Sequence, residues 1–382
     1  MSLVYDRFCF GGRDGFFLIY KMVDNLIYEG YAEFNSKPFK FWLSLNLGLS
    51  LDLSLNPTLN NYNPIISVYF YNEIKFTLLL IEFQELDVKT MSFLLKPVDT
   101  VEQISPEDFK KNYLDKRRPL VIKGLTKDWP AREKWTTDYL KQIAGDLEVP
   151  LYDNSKADPS KPINAATKHM KFGDYLDLIK REPTELRIFF FNLFKKVPSL
   201  IDDIKIPKDL MGGFIESMPA MFFGGSNSFT FLHYDIDLPH IFHTHFGGRK
   251  HIILFDNEWK ERLYCLPNAT YALEDYEVDN PDFKKFPALN GVKGYEVFLE
   301  HGDTLFMPTG MWHWMKYIDG SFSLSLRAWD ASIGRKIASV WSLFTHGAVD
   351  SALKMMFKEK YANYREKLAV TRAENALAKG KP

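Results

Sequence analysis

Seven of the nine histidines fall between positions 233 and 313. The first of them opens His233-Tyr234-Asp235, and the last, His313, follows much later in the chain. On an extended strand, positions i and i+2 share a face, so His233 and Asp235 can point the same way. Two imidazoles and one carboxylate on one side of a metal form the facial triad of non-haem Fe(II) oxygenases, with coordination positions left open. Spacing alone is also met by polar residues of an ordinary core or surface, since His-x-Asp pairs arise readily by chance. Two cysteines, Cys9 and Cys265, can build neither a disulfide framework nor a four-thiolate zinc site. Such cysteine usage suits a reducing compartment, and the expected location is the cytoplasm.

Ligand residues so far apart need a rigid frame to bring them together. From about 219 to 329 the chain is rich in short apolar runs separated by turn residues. They are Phe229 to His233, Ile241 to Phe246, His251 to Phe255, Tyr295 to Leu299, Thr304 to Met307 and Phe322 to Trp329. Many short strands with turns between them suggest a barrel or sandwich. Upstream, Ser105-Pro106-Glu107-Asp108 reads as a helix start: a hydroxyl cap, proline in the first turn, then acids. Pro119 to Gly124 reads as a short strand, and Arg187 to Asn192 as a buried one. Trp135 to Ala144 and Phe172 to Arg181 carry helical spacing. After Ser332 the pattern returns to helix.

Formal net charge is -1 over 382 residues, so there is no large excess of basic charge to hold a phosphate backbone over a broad surface, and nucleic acid is disfavoured as a partner. Residues 1–90 have a different character. They hold 17 of the 97 charged residues, none of the histidines and a single alanine, Ala32. Leucine alternates strictly through the run from Trp42 to Leu55, which reads as a strand with one apolar face. The same leader also resembles translated repetitive DNA, with Met91 as an alternative start. Its most apolar stretch, Phe76 to Phe83, is interrupted by Thr77 and Glu82 and is far short of the ~20 residues of a membrane span. No signal peptide or membrane anchor is expected. The expected domains are therefore a doubtful apolar leader over 1–90, a β-rich barrel or sandwich domain over 91–332 and C-terminal helices over 333–382.

The flanks of the histidines carry more information than their spacing. Thr230-Phe-Leu-His233-Tyr-Asp235 is followed by Phe246-Gly-Gly-Arg-Lys250-His-Ile-Ile-Leu-Phe255. Further on come Gly302-Asp-Thr-Leu-Phe-Met-Pro308 and Trp312-His313. In this order the segments resemble the cupin-like JmjC-domain oxygenases that use Fe(II) and 2-oxoglutarate. Asn280 to Pro287 and Gly294-Tyr295-Glu296 are similar to the branch that contains the factor-inhibiting-HIF asparaginyl hydroxylase. The resemblance runs from about Leu95 to Trp329.

It implies an α+β fold: a double-stranded β-helix, a jelly-roll barrel flanked by N-terminal helices and a C-terminal helical extension. His233, Asp235 and His313 match the family's iron ligands. Lys250 matches the lysine that holds the far carboxylate of 2-oxoglutarate, and Thr230 a hydroxyl donor to it. The implied cofactor is Fe(II), with 2-oxoglutarate and O2 as cosubstrates. The implied reaction is hydroxylation of a polypeptide side chain, coupled to conversion of 2-oxoglutarate to succinate. A catalytically silent binding module is the rival class. An oxygenase acting on methyl-lysine, tRNA or a small metabolite is a further alternative.

Two positions depart from the asparaginyl-hydroxylase pattern, which has asparagines near the cosubstrate. One falls at His240 or Ile241, and the other at Arg327. His240 is expected to support the ligands by hydrogen bonding or to act as a fourth polar group that alters metal preference, and Trp312 to stand beside its neighbour His313. Arg327 offers a second candidate clamp for the 2-oxoglutarate carboxylate, since its planar fork suits that task. His243 and His245 fall on the opposite strand face from His240 and are read as structural or surface residues. Cys265, Trp312, Trp314 and Trp329 are read as packing. Ala338, Trp341, Leu343 and Phe344 form an apolar stripe, matching the place where relatives build a dimer interface, so a homodimer through these helices is expected.

Overall fold

The computed structural model describes residues 91–153, 166–274 and 276–382, together with the backbone of five strands between residues 8 and 54. Two compact units divide the chain, Met1–Lys89 and Thr90–Pro382.

In the first unit, β1 (Phe8–Gly11), β2 (Phe16–Val23), β3 (Leu26–Glu33), β4 (Lys40–Leu45) and β5 (Leu49–Ser54) form one sheet in sequential order. The alternating leucine run is thus divided between β4 and β5 rather than forming one strand, and Leu43 pairs with Leu51 across the antiparallel ladder. Alternation specifies strand conformation but not strand length, so a chain reversal leaves the period intact. The apolar stretch 76–83 lies outside the described residues.

The second unit begins with β6 (Leu94–Pro97) and β7 (Asp99–Val101), followed by α1 (Pro106–Phe109), which continues as a wider π turn over Lys110–Leu114. The Ser105 side chain accepts the Asp108 amide at 3.1 Å and starts α1 as its sequence suggests. Next come β8 (Leu120–Ile122), α2 (Pro130–Lys134), α3 (Thr137–Ala144), β9 (Glu148–Leu151), β10 (Lys168–Lys171) and α4 (Phe172–Arg181). Thr136 caps α3 by accepting from the Tyr139 amide, so this helix starts two residues later than Trp135, which instead packs in the core. The barrel strands are β11 (Arg187–Phe191), β12 (Ala220–Gly224), β13 (Phe229–His233), β14 (His240–Gly247), β15 (Lys250–Phe255), β16 (Lys293–Leu299), β17 (Thr304–Met307), β18 (Trp312–Tyr317) and β19 (Ser321–Ala328). Two helices, α5 (Ile333–Ser342) and α6 (Asp350–Ala378), close the chain with a π segment between them.

Two sheets carry the architecture. One has the order β11-β12-β19-β14-β17-β8-β7, the other β13-β18-β15-β16-β6. Alternation sorts their side chains into three apolar layers. Ile241, Ile252, Leu254, Leu305, Met307 and Met315 meet between the sheets. Phe242, Phe246, Phe306 and Phe322 face outward from the larger sheet onto Phe109, Trp135 and Phe172 of the N-terminal helical region. Ile253, Phe255, Trp312 and Trp314 face outward from the smaller sheet, and α6 contributes Ala369 and Ala373 to that layer. The result is the α+β, cupin-like barrel with flanking helices that the sequence implied. The strand at Arg187 is less buried than expected: only Ile188 is fully enclosed. No helix among the described residues is long and apolar enough to cross a membrane.

Candidate metal centre and its pocket

β13 and β18 pair antiparallel, with His233 opposite His313. Their rings lie 4.2 Å apart between centroids. Each ring is steered by the backbone: Nδ1 of His233 is 2.8 Å from the Phe231 carbonyl and Nδ1 of His313 is 3.1 Å from the Met311 carbonyl. A carbonyl can only accept, so Nδ1 carries the proton in both and the Nε2 lone pair is free. The two Nε2 atoms point at one carboxylate oxygen, Asp235 Oδ1, at 3.6 and 3.8 Å. One ligand-type atom from each residue falls within 4.8 Å of the other two. Burial lowers the pKa of both histidines, that of His313 to about 3, so neutral imidazole is the resting form.

Asp235 is not on the strand. β13 ends at His233, and Asp235 lies in the following loop, so strand parity does not explain why the two share a face. Arg327 does: its Nη1 is 2.8 Å from Asp235 Oδ2, and its Nη2 donates to Asp237 Oδ1. One oxygen of Asp235 is thereby fixed while the other faces the imidazoles. Burial opposes ionisation of Asp235, but its pKa is lowered nonetheless, with the Arg327 guanidinium the largest favourable influence. Two neutral imidazoles and an ionised carboxylate, each oriented by another contact, are the donor set that a divalent first-row metal requires. The residues fit Fe(II).

The trio borders a cleft between the sheets, which Thr230, His243, Lys250, Met315, Tyr317 and Arg187 also line. Thr230 and His233 are an odd number of residues apart, yet both reach the cleft. A register shift between them bends β13 so that the parity changes. Lys250 is 2 % exposed. Its ammonium donates to His243 Nε2 at 3.0 Å and to Ser323 Oγ at 3.3 Å, and lies 4.2 Å from the centre of the Tyr317 ring. An ammonium has no acceptor, so the His243 proton resides on Nδ1 and is donated to Ser325 Oγ at 2.8 Å. Burial lowers the pKa of Lys250 to about 7, and that of His243 falls well below its ordinary value for the same reason. The inward residues of β19 are Ser321, Ser323, Ser325 and Arg327, which leave space opposite His243 and His245.

The profile of the cupin-like domain family matches residues 106–329, a span that contains every residue named in this pocket. The chain belongs to the cupin-like JmjC family. Members of this family are Fe(II)- and 2-oxoglutarate-dependent oxygenases. Lysine-specific demethylase 8 of Danio rerio is 31% identical over 246 residues, covering 61% of this chain and 59% of the relative. Lysine-specific demethylase JMJ30 of Arabidopsis thaliana is 29% identical, over 66% of this chain and 60% of the relative. tRNA wybutosine-synthesizing protein 5 of Gallus gallus is 27% identical, over 56% of this chain and 72% of the relative. The chain thus spans 50 to 60% of the length of the first three demethylase relatives it matches.

Three sequence expectations need correction within this family fold. Arg327 does not border the cleft; Asp235 and Asp237 engage its guanidinium, so it supports a ligand instead of clamping a cosubstrate. His240 faces the outer layer, stacked on Phe306, with its ring nitrogens engaged by Asp330 and the Thr309 amide, and does not reach the ligand trio. Trp312 alternates away from His313, donates to Asn257 and packs edge-on against Tyr234, so its role is in the outer core. His243 and His245 do lie opposite His240, but neither is on the surface: both are buried between the sheets. Tyr317 and Arg187 are pocket residues that no sequence signal marked, and His243, expected to be structural or on the surface, also lines the cleft. The signal available for His243 was the Ser-x-Ser-x-Ser alternation of β19, which provides small polar partners where a barrel interior should be apolar.

Proposed function

We propose that this chain is an Fe(II)- and 2-oxoglutarate-dependent dioxygenase that hydroxylates a polypeptide side chain. The observation that carries the reading is a single cleft with His233, Asp235 and His313 at one position and the buried ammonium of Lys250 at another. Tyr317, which pairs with Lys250, lies four residues beyond His313, about 13 Å of strand. A dicarboxylate can therefore face the metal with one end and the ammonium with the other. When bound, iron with O2 supplies the oxidation that places oxygen in a C–H bond while 2-oxoglutarate loses CO2 and becomes succinate.

The protein's own contribution is binding, orientation and exclusion of water. His233, Asp235 and His313 hold the ion, with Arg327 fixing the carboxylate. Lys250 provides a charge-assisted hydrogen bond to the far carboxylate, and Thr230 a hydroxyl. Ile241, Met307 and Met315 form an apolar wall that keeps solvent from the reacting atoms. The substrate class separates this reading from the names of the relatives, which point to methyl-lysine or tRNA. The formal net charge of -1 weighs against tRNA. Incubation of the Fe(II)-loaded protein with 2-oxoglutarate and a peptide, RNA and metabolite panel tests this by mass spectrometry. A gain of one oxygen on a polypeptide is expected, with succinate release. Methyl loss or an oxidised nucleoside would reassign the substrate, and absence of succinate with every substrate would mark a silent binding module.

In this reading the active form is a homodimer. Ile333, Ile337, Val340, Trp341 and Phe344 recur at helical spacing and are all exposed, a larger apolar stripe than a solitary helix normally shows. A second copy would cover it, and light scattering of the wild type against Trp341→Asp should show dimer and monomer respectively.

A further inference from the structure

The neighbourhood of Lys250 contains more donors than one ammonium. Arg187 lines the same cleft, and its Nε and Nη1 are buried without a hydrogen-bond partner among the described residues. The Tyr317 hydroxyl, directly across the ladder from Lys250, is likewise buried and unpaired; it lies near Ser323 without closing a hydrogen bond to it. Ser323 Oγ is already engaged by His245 and Lys250. Buried donors left unmade are rare in folded proteins and costly. Three such atoms beside one pocket mark a place where a ligand completes the network.

The backbone brings these groups together by design of a single glycine. Arg187 pairs directly with Gly224 of β12. A Cβ on Gly224 would come within 2.2 Å of the Tyr317 ring. Absence of a side chain at 224 therefore opens the slot in which the phenol lies beside Arg187. Asp153 and Glu274 are near enough to offset part of the Arg187 charge, and the guanidinium also lies 5.8 Å from the centre of the Phe231 ring. The acceptor the unpaired donors require is a small anion that enters the cleft, since the two guanidinium nitrogens are closed to solvent.

We propose that Arg187 and Tyr317 close on the same far carboxylate as Lys250. The subsite then has two cations and a phenol, and selects a dicarboxylic 2-keto acid over a monocarboxylic one. This inference rests on the cosubstrate reading of Lys250 and adds the residues that set its selectivity. Arginine contributes fixed, planar donors, and although burial lowers the pKa of Arg187, a guanidinium starts from a higher value than an ammonium.

Calorimetric titration of the Mn(II)-loaded full chain with 2-oxoglutarate and with 2-oxopentanoate, which lacks the far carboxylate, tests the assignment. Arg187→Gln should weaken 2-oxoglutarate about 10- to 100-fold, the range for a hydrogen bond to a charged group. It should leave 2-oxopentanoate and Mn(II) binding unchanged. Arg187→Lys, which retains the charge, should recover part of the loss, and Tyr317→Phe should show a smaller loss of the same selectivity. Thermal melts of each variant identify any that fail to fold, in which case Arg187→Lys carries the comparison. Unchanged 2-oxoglutarate affinity in Arg187→Gln, or equal weakening of both keto acids, would overturn the proposal. Unchanged affinity with lost turnover would give Arg187 to the primary substrate instead. A wild-type protein that binds Mn(II) but not 2-oxoglutarate would remove the Lys250 reading as well, and is distinguished by needing no variant.

Discussion

At the metal end of the cleft every ligand already has a second contact: carbonyls hold the Nδ1 atoms of His233 and His313, and Arg327 holds Asp235. At the Lys250 end the balance is reversed. Lys250 is paired with His243, but the nearby Arg187 and Tyr317 present buried donors with no partner among the described residues. The difference teaches what each end waits for. Ligand atoms must be aimed before a metal arrives, so their remaining valences are spent on orientation. An anion subsite must instead keep donors unspent, because the acceptor comes with the ligand.

The largest effect should come from removing the aimed carboxylate. Asp235→Ala should weaken divalent-metal binding by more than about 100-fold, beyond the range typical of losing an outer support. Equilibrium dialysis with Mn(II) measures it, and near-native affinity would break the comparison at its metal end. Arg327→Met leaves the ligand in place but frees it, and should cost about 10- to 100-fold in the same assay. An unchanged metal affinity would reduce the Arg327 contact to local packing.

A pH titration sharpens the other end. The ammonium is the form that attracts a carboxylate, and Lys250 loses its proton from the free site near pH 7. A bound carboxylate favours the ammonium and raises its pKa, so binding above that pH takes up a proton and weakens as pH rises. The expected loss of 2-oxoglutarate affinity is about tenfold between pH 6 and 8. Groups facing Lys250 do not mask it: His243 and His245 are kept neutral by burial, burial raises the pKa of Tyr317, and burial lowers that of Arg187 only from the high range of a guanidinium. Lys250→Met should flatten the profile while leaving its baseline weak; a profile that keeps its slope would assign the titration elsewhere.

How much of this was legible in the sequence follows from where the signals lie. His233, Asp235, His313, Thr230 and Lys250 each sit inside a run of flanking residues whose order resembles a known family, and the structure brings all five to one cleft. The outward tryptophans and phenylalanines also follow from alternation. Arg187 and Tyr317 could not be found that way. They are brought together by pairing with distant partners, Gly224 and Lys250, and strand register between remote segments is not written in local pattern. Arg327 misled for a related reason: its residue type suits a carboxylate, but only the loop after β13 decides that the carboxylate is Asp235. His243 was obscured because a histidine on an alternating strand reads alike facing in or out. The smallest of the expected effects tests that placement. Ser325→Ala should leave the His243 Nδ1–H unpaired and cost about 1–3 kcal/mol in urea unfolding. No change in stability would mean that His243 finds another acceptor.

The central claim is that one cleft holds both a metal and the keto acid spanning it to Lys250. Anaerobic addition of 2-oxoglutarate to the Fe(II)-loaded protein, followed by visible absorption, tests it most directly. A weak charge-transfer band that saturates with 2-oxoglutarate is predicted for the wild type, requires Asp235, and shifts to higher concentration in Lys250→Met. A wild-type protein that binds Fe(II) tightly yet shows no band at saturating 2-oxoglutarate would contradict the account.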